Sequence, residues 1–181
     1  CMKNLFYNLT PDVIIHAIEK GGFEPTGHCL ALNSYENRVY DLRLEYSSHI
    51  VTKFYRPGRW TREQIKEEHD FLFELRDDEI PVCAPLRFPD GETIHETEGI
   101  MYAIWPRTGG RVPDELSDTE LQTVGRLCAR RHNNGASKQS AHRIELTGEA
   151  YGLAPLAFLE ENNFLPASCR DRYHNAVLEI V

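Results

Sequence analysis

No stretch of this 181-residue chain approaches the about eighteen continuous apolar residues that a membrane-spanning helix needs, so the sequence offers no membrane partner. It carries no surplus of positive charge either: 20 Lys and Arg stand against 28 Asp and Glu, for a net charge of −8. Backbone-directed nucleic-acid binding rests on clustered cations, so this balance argues against that class. Cysteine is sparse and dispersed. Cys1, Cys29, Cys83, Cys128 and Cys169 form no C-x-x-C pair. Structural zinc ligands come in close pairs, and a disulfide framework favours even, regular spacing, so these read as reduced thiols of a cytoplasmic protein. The start, Cys1-Met2-Lys3-Asn4-Leu5, lacks the apolar core of a signal peptide, and Met2 reads as the natural start. Internal repeats and low-complexity tracts are missing too.

What is present suits a folded domain. Hydrophobic residues make up 41% and charged residues 27%, and a chain this long can bury about 70% of its unfolded surface without covalent staples. Thr10-Pro11-Asp12 opens a helix that Gly21-Gly22 stops, with Val13, Ile14, Ala17 and Ile18 as its apolar face. His28–Leu32, Arg38–Leu44 and His49–Tyr55 read as strands separated by polar turns, a three-stranded antiparallel meander. Arg56-Pro57-Gly58-Arg59 breaks the sheet. Thr61 and Gln64 then form a capping box at the head of a helix ending near Asp77-Asp78, with Ile65, His69, Leu72 and Leu75 inward. Pro81 and Pro85 mark an extended connection into a fourth strand at Ala84–Phe88, and Gly99–Trp105 is a fifth. After Pro106 the character changes. Arg107-Thr108-Gly109-Gly110-Arg111 is a link, and Ser117 with Glu120 caps a helix whose stripe is Leu121, Val124, Leu127 and Cys128. Cysteine on such a stripe belongs more often to a core than to chemistry. Residues 136–154 read as loop, followed by helical stretches near Pro155–Asn162 and Pro166–Val181. The fold class is α+β, with a sheet-bearing lobe over 1–106 and a helical region over 107–181.

Lys53 is the residue that stands out. It sits in Val51-Thr52-Lys53-Phe54-Tyr55, a run of strand formers in which an unpartnered buried ammonium is costly. Two readings fit. It could be an edge lysine that discourages sheet-to-sheet aggregation. Alternatively it pairs with a carboxylate of the helix that follows, where Glu63, Glu67 and Glu68 compete. Glu68 shares a face with Leu72 and Leu75, whereas Glu67 points about 100° away. A strand lysine held by a helix glutamate is how kinase folds hold ATP phosphates. Ser34 and Asn37 have two readings as well, as hairpin residues chosen for turn formation or as phosphate contacts.

The strings Leu32-Asn33-Ser34-Tyr35-Glu36-Asn37-Arg38-Val39-Tyr40, Lys53-Phe54-Tyr55-Arg56-Pro57, Trp60-Thr61, Gln64-Ile65 and Glu67-Glu68-His69 resemble the bacterial stress response kinase A family. These are serine/threonine kinases of the aminoglycoside-phosphotransferase-like superfamily. The likeness continues through Pro81-Val82, Ala84-Pro85, Gly109-Gly110-Arg111 and Val124-Gly125-Arg126, and covers the family's N-terminal half. It implies a protein kinase-like N-lobe with a five-stranded antiparallel sheet and a C-helix, followed by the first helices of a C-lobe. ATP and Mg²⁺ are the implied ligands, and protein serine or threonine hydroxyls the implied acceptors. Lys53 would meet the ATP phosphates and Glu68 would be its partner. Ser34, Tyr35, Glu36 and Asn37 would form the phosphate-side loop, and Ala103, Ile104 and Trp105 the hinge that meets adenine.

The sequence departs from that pattern twice. The loop at 33–37 contains no glycine, although protein kinases carry a Gly-rich loop there. The H-G-D catalytic loop and the D-x-D metal motif have no match, so the base and the metal ligands are expected beyond Val181, and the chain by itself is expected to be inactive. A helical surface left open could then promote self-association. Two other functions remain: a small-molecule kinase acting on an amino alcohol or aminoglycoside-type acceptor, and a non-catalytic binding or regulatory module.

Overall fold

The structure, a computed structural model, describes residues 6–110 and 113–181. Cys1 and Met2, read above as a chain start, and Arg111 of the Gly-Gly-Arg string lie outside those residues. The chain divides into two compact units, one running through Ala141 and the other from His142 to Val181.

The first unit contains α1 (Pro11–Lys20), β1 (Pro25–Leu32), β2 (Arg38–Leu44), β3 (His49–Phe54), α2 (Arg62–Asp77), β4 (His95–Thr97), β5 (Ile100–Pro106) and α3 (Asp118–Gly135). Helix starts follow local chemistry. The Thr10 hydroxyl accepts the Val13 N–H, with Pro11 at the first helical turn. At α2 the Thr61 hydroxyl accepts from the Gln64 N–H at 3.2 Å, while Gln64 Oε1 accepts the Thr61 N–H at 3.0 Å. Such reciprocal caps contribute about 1 kcal/mol each. Ser117 and Glu120 repeat the arrangement at α3.

All strand pairings are antiparallel, in the order β1-β2-β3-β5-β4. The fourth strand is His95–Thr97 and not the expected Ala84–Phe88. Pro85 lacks an N–H and Pro89 bounds the segment, so 84–88 cannot hold a continuous ladder. It lies extended beside β5 instead, and Leu86 donates its N–H to the Ile104 carbonyl at 2.8 Å.

The two faces of the sheet differ. On one, Leu42, Ile50, Phe54, Tyr102 and Ile104 pack with Ile14, Ala17 and Ile18 of α1. Tyr102 donates its hydroxyl to the Ala17 carbonyl at 2.7 Å, and burial pushes its pKa up to about 12. On the other, Ile65 of α2 packs with Tyr55, Ala103 and Ile94, flanked by Trp60, Met101 and Trp105. Helix α3 attaches to the far end of α2. Arg130 donates to the carbonyls of Asp78 and Glu79, both at 3.2 Å, and Lys138 pairs with Glu74. Its expected apolar stripe is not a core: Leu121, Val124 and Cys128 are exposed and Leu127 is half-buried.

In the second unit, a π-helical turn at Glu149–Leu153 runs into α4 (Ala154–Glu161), and α5 (Arg170–Ile180) follows. Helical structure therefore begins earlier than the sequence suggested. Gly152 faces Val181 so closely that an added Cβ would collide with it, which explains a glycine inside helical backbone.

The turn joining β2 to β3 places Tyr46 at φ 59 and Ser47 at φ 62, a left-handed backbone on residues that carry Cβ atoms. Replacing Ser47 by glycine relieves that strain, and Ser47→Gly should stabilise the chain by about 1 kcal/mol in urea unfolding. A lower midpoint would show that the turn is built differently.

Candidate functional site

Strand β3 runs between β2 and β5, so Lys53 is an interior-strand lysine and the edge-strand reading falls away. Its cross-strand neighbours are Val39 and Ala103. Along β3, Ile50, Thr52 and Phe54 are buried, whereas His49, Val51 and Lys53 on the opposite face are half-buried. The pleat thus fixes which way Lys53 points. The same face carries Val39 and Asp41 of β2. It also carries Leu30 and Leu32 of β1, which stand opposite Asp41 and Val39. These two leucines are 52% and 38% exposed. The result is an ammonium on a sheet face floored by open aliphatic side chains.

Aromatic rings meet the ammonium. Lys53 Nζ lies 4.5 Å from the Tyr55 ring centroid and 5.8 Å from that of Trp105, close enough for cation–π attraction. Behind Tyr55 is His69 of α2, which is fully buried. Its Nε2 meets the Tyr55 hydroxyl at 3.0 Å and its Nδ1 meets the Thr93 hydroxyl at 2.9 Å. Burial, and then the charge of Lys53, lower the His69 pKa from the ordinary 6.5 to about 4. The imidazole is therefore neutral at physiological pH.

The helix places the competing glutamates differently. Glu67 accepts from the Ser140 hydroxyl at 2.6 Å and the Ala141 N–H at 2.5 Å. Glu68 stands half-buried directly before His69, and Glu63 is exposed near the start of α2. In the 33–37 loop, the Ser34 hydroxyl donates to the Asn37 carbonyl at 2.8 Å, and Asn37 Oδ1 accepts the Arg56 N–H at 3.1 Å. Arg59 reaches Glu36 at 3.0 Å. These bonds tie the hairpin tip to the segment after β3 and leave Tyr35 projecting fully into solvent. Ser34 and Asn37 thus have turn-forming partners of their own.

The three β5 positions separate by pleat. Ala103 is buried toward α2, and its carbonyl accepts from the Thr52 hydroxyl at 3.2 Å. Ile104 is buried on the α1 face and its carbonyl is taken by Leu86. Trp105 is half-buried and turns its ring toward Lys53. At the end of the strand, buried Asp41 accepts from His49 Nδ1 at 3.0 Å and faces Arg107 Nε at 3.1 Å.

Sequence reasoning missed Leu30, Leu32, Tyr55 and His69 as members of this site. The apolar run Cys29–Leu32 is a visible signal, but which of its residues stay exposed depends on strand pairing. An open depression of about 450 Å³, lined by Lys20, Arg62, His95 and Glu96 among others, lies elsewhere. Among the described residues, no group of three His, Cys, Asp or Glu side chains is placed to hold a metal ion. No helix among them is long and apolar enough to cross a membrane.

Residues 28–174 match the APH phosphotransferase enzyme family. The chain belongs to that family. It is 36% identical over 176 residues to stress response kinase A of Shigella flexneri, a match that covers 97% of the chain and 53% of the relative. It is 38% identical over 162 residues to the serine/threonine protein kinase RdoA of Salmonella typhimurium, covering 90% of the chain and 49% of the relative. The chain thus spans about half the length of the curated relatives it matches. Solved structures agree on the fold. An amicoumacin kinase in complex with AMP-PNP, Ca²⁺ and Ami superposes with a TM-score of 0.60 at 17% identity, covering 83% of this chain and 51% of that one. A microcompartment-associated aminopropanol kinase gives 0.60 at 22% identity, covering 77% and 46%. The α+β fold is kinase-like, as the sequence implied.

The buried neutral imidazole links stability to pH. The folded pKa of His69 lies below its unfolded value, so on acidification the unfolded chain takes up the proton first. Stability is then complete above about pH 6.5 and is lost as the pH falls toward about 4. Urea unfolding should show wild type losing about 2 kcal/mol more than His69→Gln between about pH 6.5 and pH 5. Parallel profiles for the two proteins would mean that His69 is not held neutral.

Proposed function

We propose that this sheet face is the nucleotide-binding side of an ATP-dependent serine/threonine protein kinase. One observation carries the reading: Lys53 stands on an interior strand, on the face that exposes Leu30 and Leu32 two strands away, with Val39 and Val51 on the same face. Nucleotide sites combine an apolar surface for the base with cationic groups for the phosphates. Here the aliphatic floor would take adenine, the ammonium would offset phosphate charge, and Trp105 would close the strand end of the floor. Glu68, one position before the residue that anchors Tyr55, would orient Lys53 when nucleotide is present. The 33–37 loop would approach the phosphates through backbone N–H groups, because the Ser34 hydroxyl already bonds to the Asn37 carbonyl and the Asn37 side chain to the Arg56 N–H.

ATP would supply the phosphoryl group and Mg²⁺ would neutralise its developing charge. The chain's own residues would bind and orient. The sequence contains neither H-G-D nor D-x-D, so we assign the general base and the Mg²⁺ ligands to other parts of the complete protein. A cytoplasmic setting agrees with the free thiols of Cys29, Cys83, Cys128 and Cys169. The relative named a serine/threonine protein kinase favours protein hydroxyls as acceptors. The solved neighbours, titled as amicoumacin and aminopropanol kinases, favour the second reading, a small-molecule acceptor.

In the complete protein, Lys53→Met should lower kcat by about a hundredfold or more, the scale set by removing one electrostatic stabiliser, with circular dichroism unchanged. Leu30→Asp should raise KM for ATP. Wild-type turnover in the Lys53 variant would remove Lys53 from the site. ATP-independent function in both variants would favour a non-catalytic binding module.

A further inference from the structure

The ring contacts at Lys53 are supported from behind by hydrogen bonds. Tyr55 directly follows β3, its N–H donates to the Met101 carbonyl at 2.9 Å, and its ring packs with Ala103 and Ile65 on the face that carries Lys53, which brings the lysine stem alongside the tyrosine ring. The Tyr55 ring is almost completely buried and its hydroxyl ends on His69 Nε2. His69 in turn is fixed through Nδ1 to Thr93, itself buried. A neutral imidazole has one N–H and one lone pair, and each neighbouring hydroxyl can donate or accept, so the chain Thr93–His69–Tyr55 can be satisfied throughout. On the far side, Trp105 packs edge-on against His69, with centroids 5.6 Å apart. Both rings near the ammonium are therefore braced by the same buried histidine.

We propose that Tyr55 and Trp105 form an aromatic seat that positions the Lys53 ammonium toward the open sheet face, and that the buried Thr93–His69–Tyr55 hydrogen-bond chain fixes that seat. Ring faces carry partial negative charge and hold a cation without neutralising it. A carboxylate contact would satisfy the ammonium more fully, whereas a ring seat leaves its outward N–H donors available for an arriving anion. The rings also restrict the four-carbon stem in advance, which removes part of the ordering cost when the anion binds. Tyr55, Trp105, His69 and Thr93 are positioning residues in this account, and their relevance to phosphate rests on the nucleotide reading above.

Ring currents supply a readout that a purely structural role would not move. The lysines of the chain are Lys3, Lys20, Lys53, Lys66 and Lys138, few enough for carbon-13 lysine labelling of the full chain to resolve their ε-methylene signals. Lys53→Arg assigns the signal of interest. The expected result is that the Lys53 ε-methylene protons lie furthest upfield in the wild type, remain upfield but broaden or partly reverse in Tyr55→Phe, which keeps the ring and loses the hydroxyl that ends on His69, and return to the position of the other lysines in Tyr55→Leu. Thr93→Val should broaden or partly reverse the shift, because the ring loses its brace. Trp105→Leu should give a smaller downfield return, and it serves as the test if Tyr55→Leu does not fold by its amide spectrum. An ordinary Lys53 shift in the wild type, or an upfield shift that persists without the Tyr55 ring, overturns the seat. Adding Mg·ATP to the complete protein separates the two claims: a Lys53 signal that is upfield but indifferent to nucleotide supports the seat and contradicts the nucleotide reading.

Discussion

A positive charge on the middle strand of a sheet has to be offset locally, and the rest of the site follows from how this chain does it. The α1 side of β3 is closed by Ile50, Thr52 and Phe54, so Lys53 can only leave through the other face. Helix α2 covers part of that face and brings His69 under Tyr55. The β1–β2 end is left open, with Leu30 and Leu32 showing. A fully covered face would have buried the ammonium at a cost of several kcal/mol, and a fully open one would have left it to water. Partial cover holds the side chain while keeping its charge available.

The same division of the sheet explains why exposed leucines are tolerated. Isolated apolar residues on a surface need no explanation, but two on the same face of one strand, a face that also carries Lys53, make a coherent floor. The hairpin tip above them is stiffened by Asn37 to Arg56 and by Glu36 to Arg59. Those links make a tied-down turn, in contrast to the glycine flexibility of kinase phosphate loops. At the opposite end of β3, Asp41 joins His49 to Arg107, which fixes the exit of β5 relative to β2 and β3.

Much of this was legible beforehand, for definable reasons. Caps at Thr10, Thr61 and Ser117 are local, so their helices could be placed from three or four residues. The alternation in 38–44 and 49–54 is likewise local, and both strands formed where expected. The strand near 84–88 failed because its apolar content outweighed, on paper, the missing N–H of Pro85. Interior against edge placement of β3 depends on β5, roughly fifty residues away, and no window around Lys53 contains it. Periodicity places His69 inward, yet its bonds to Tyr55 and Thr93 join three separated segments and cannot be read from any one of them. The exposure of α3's stripe has the same origin: amphipathicity shows that a face is apolar, and only packing shows whether anything covers it.

The nucleotide reading puts the phosphates of ATP beside the Lys53 amine. An ATP acyl-phosphate reagent, which transfers its acyl group to an amine near the phosphates, tests this in the complete protein, with the modified lysine located by peptide mass spectrometry. The account predicts acylation concentrated at Lys53 and suppressed by excess ATP. Equal labelling of Lys20, Lys66 and Lys138, unaffected by ATP, would contradict it.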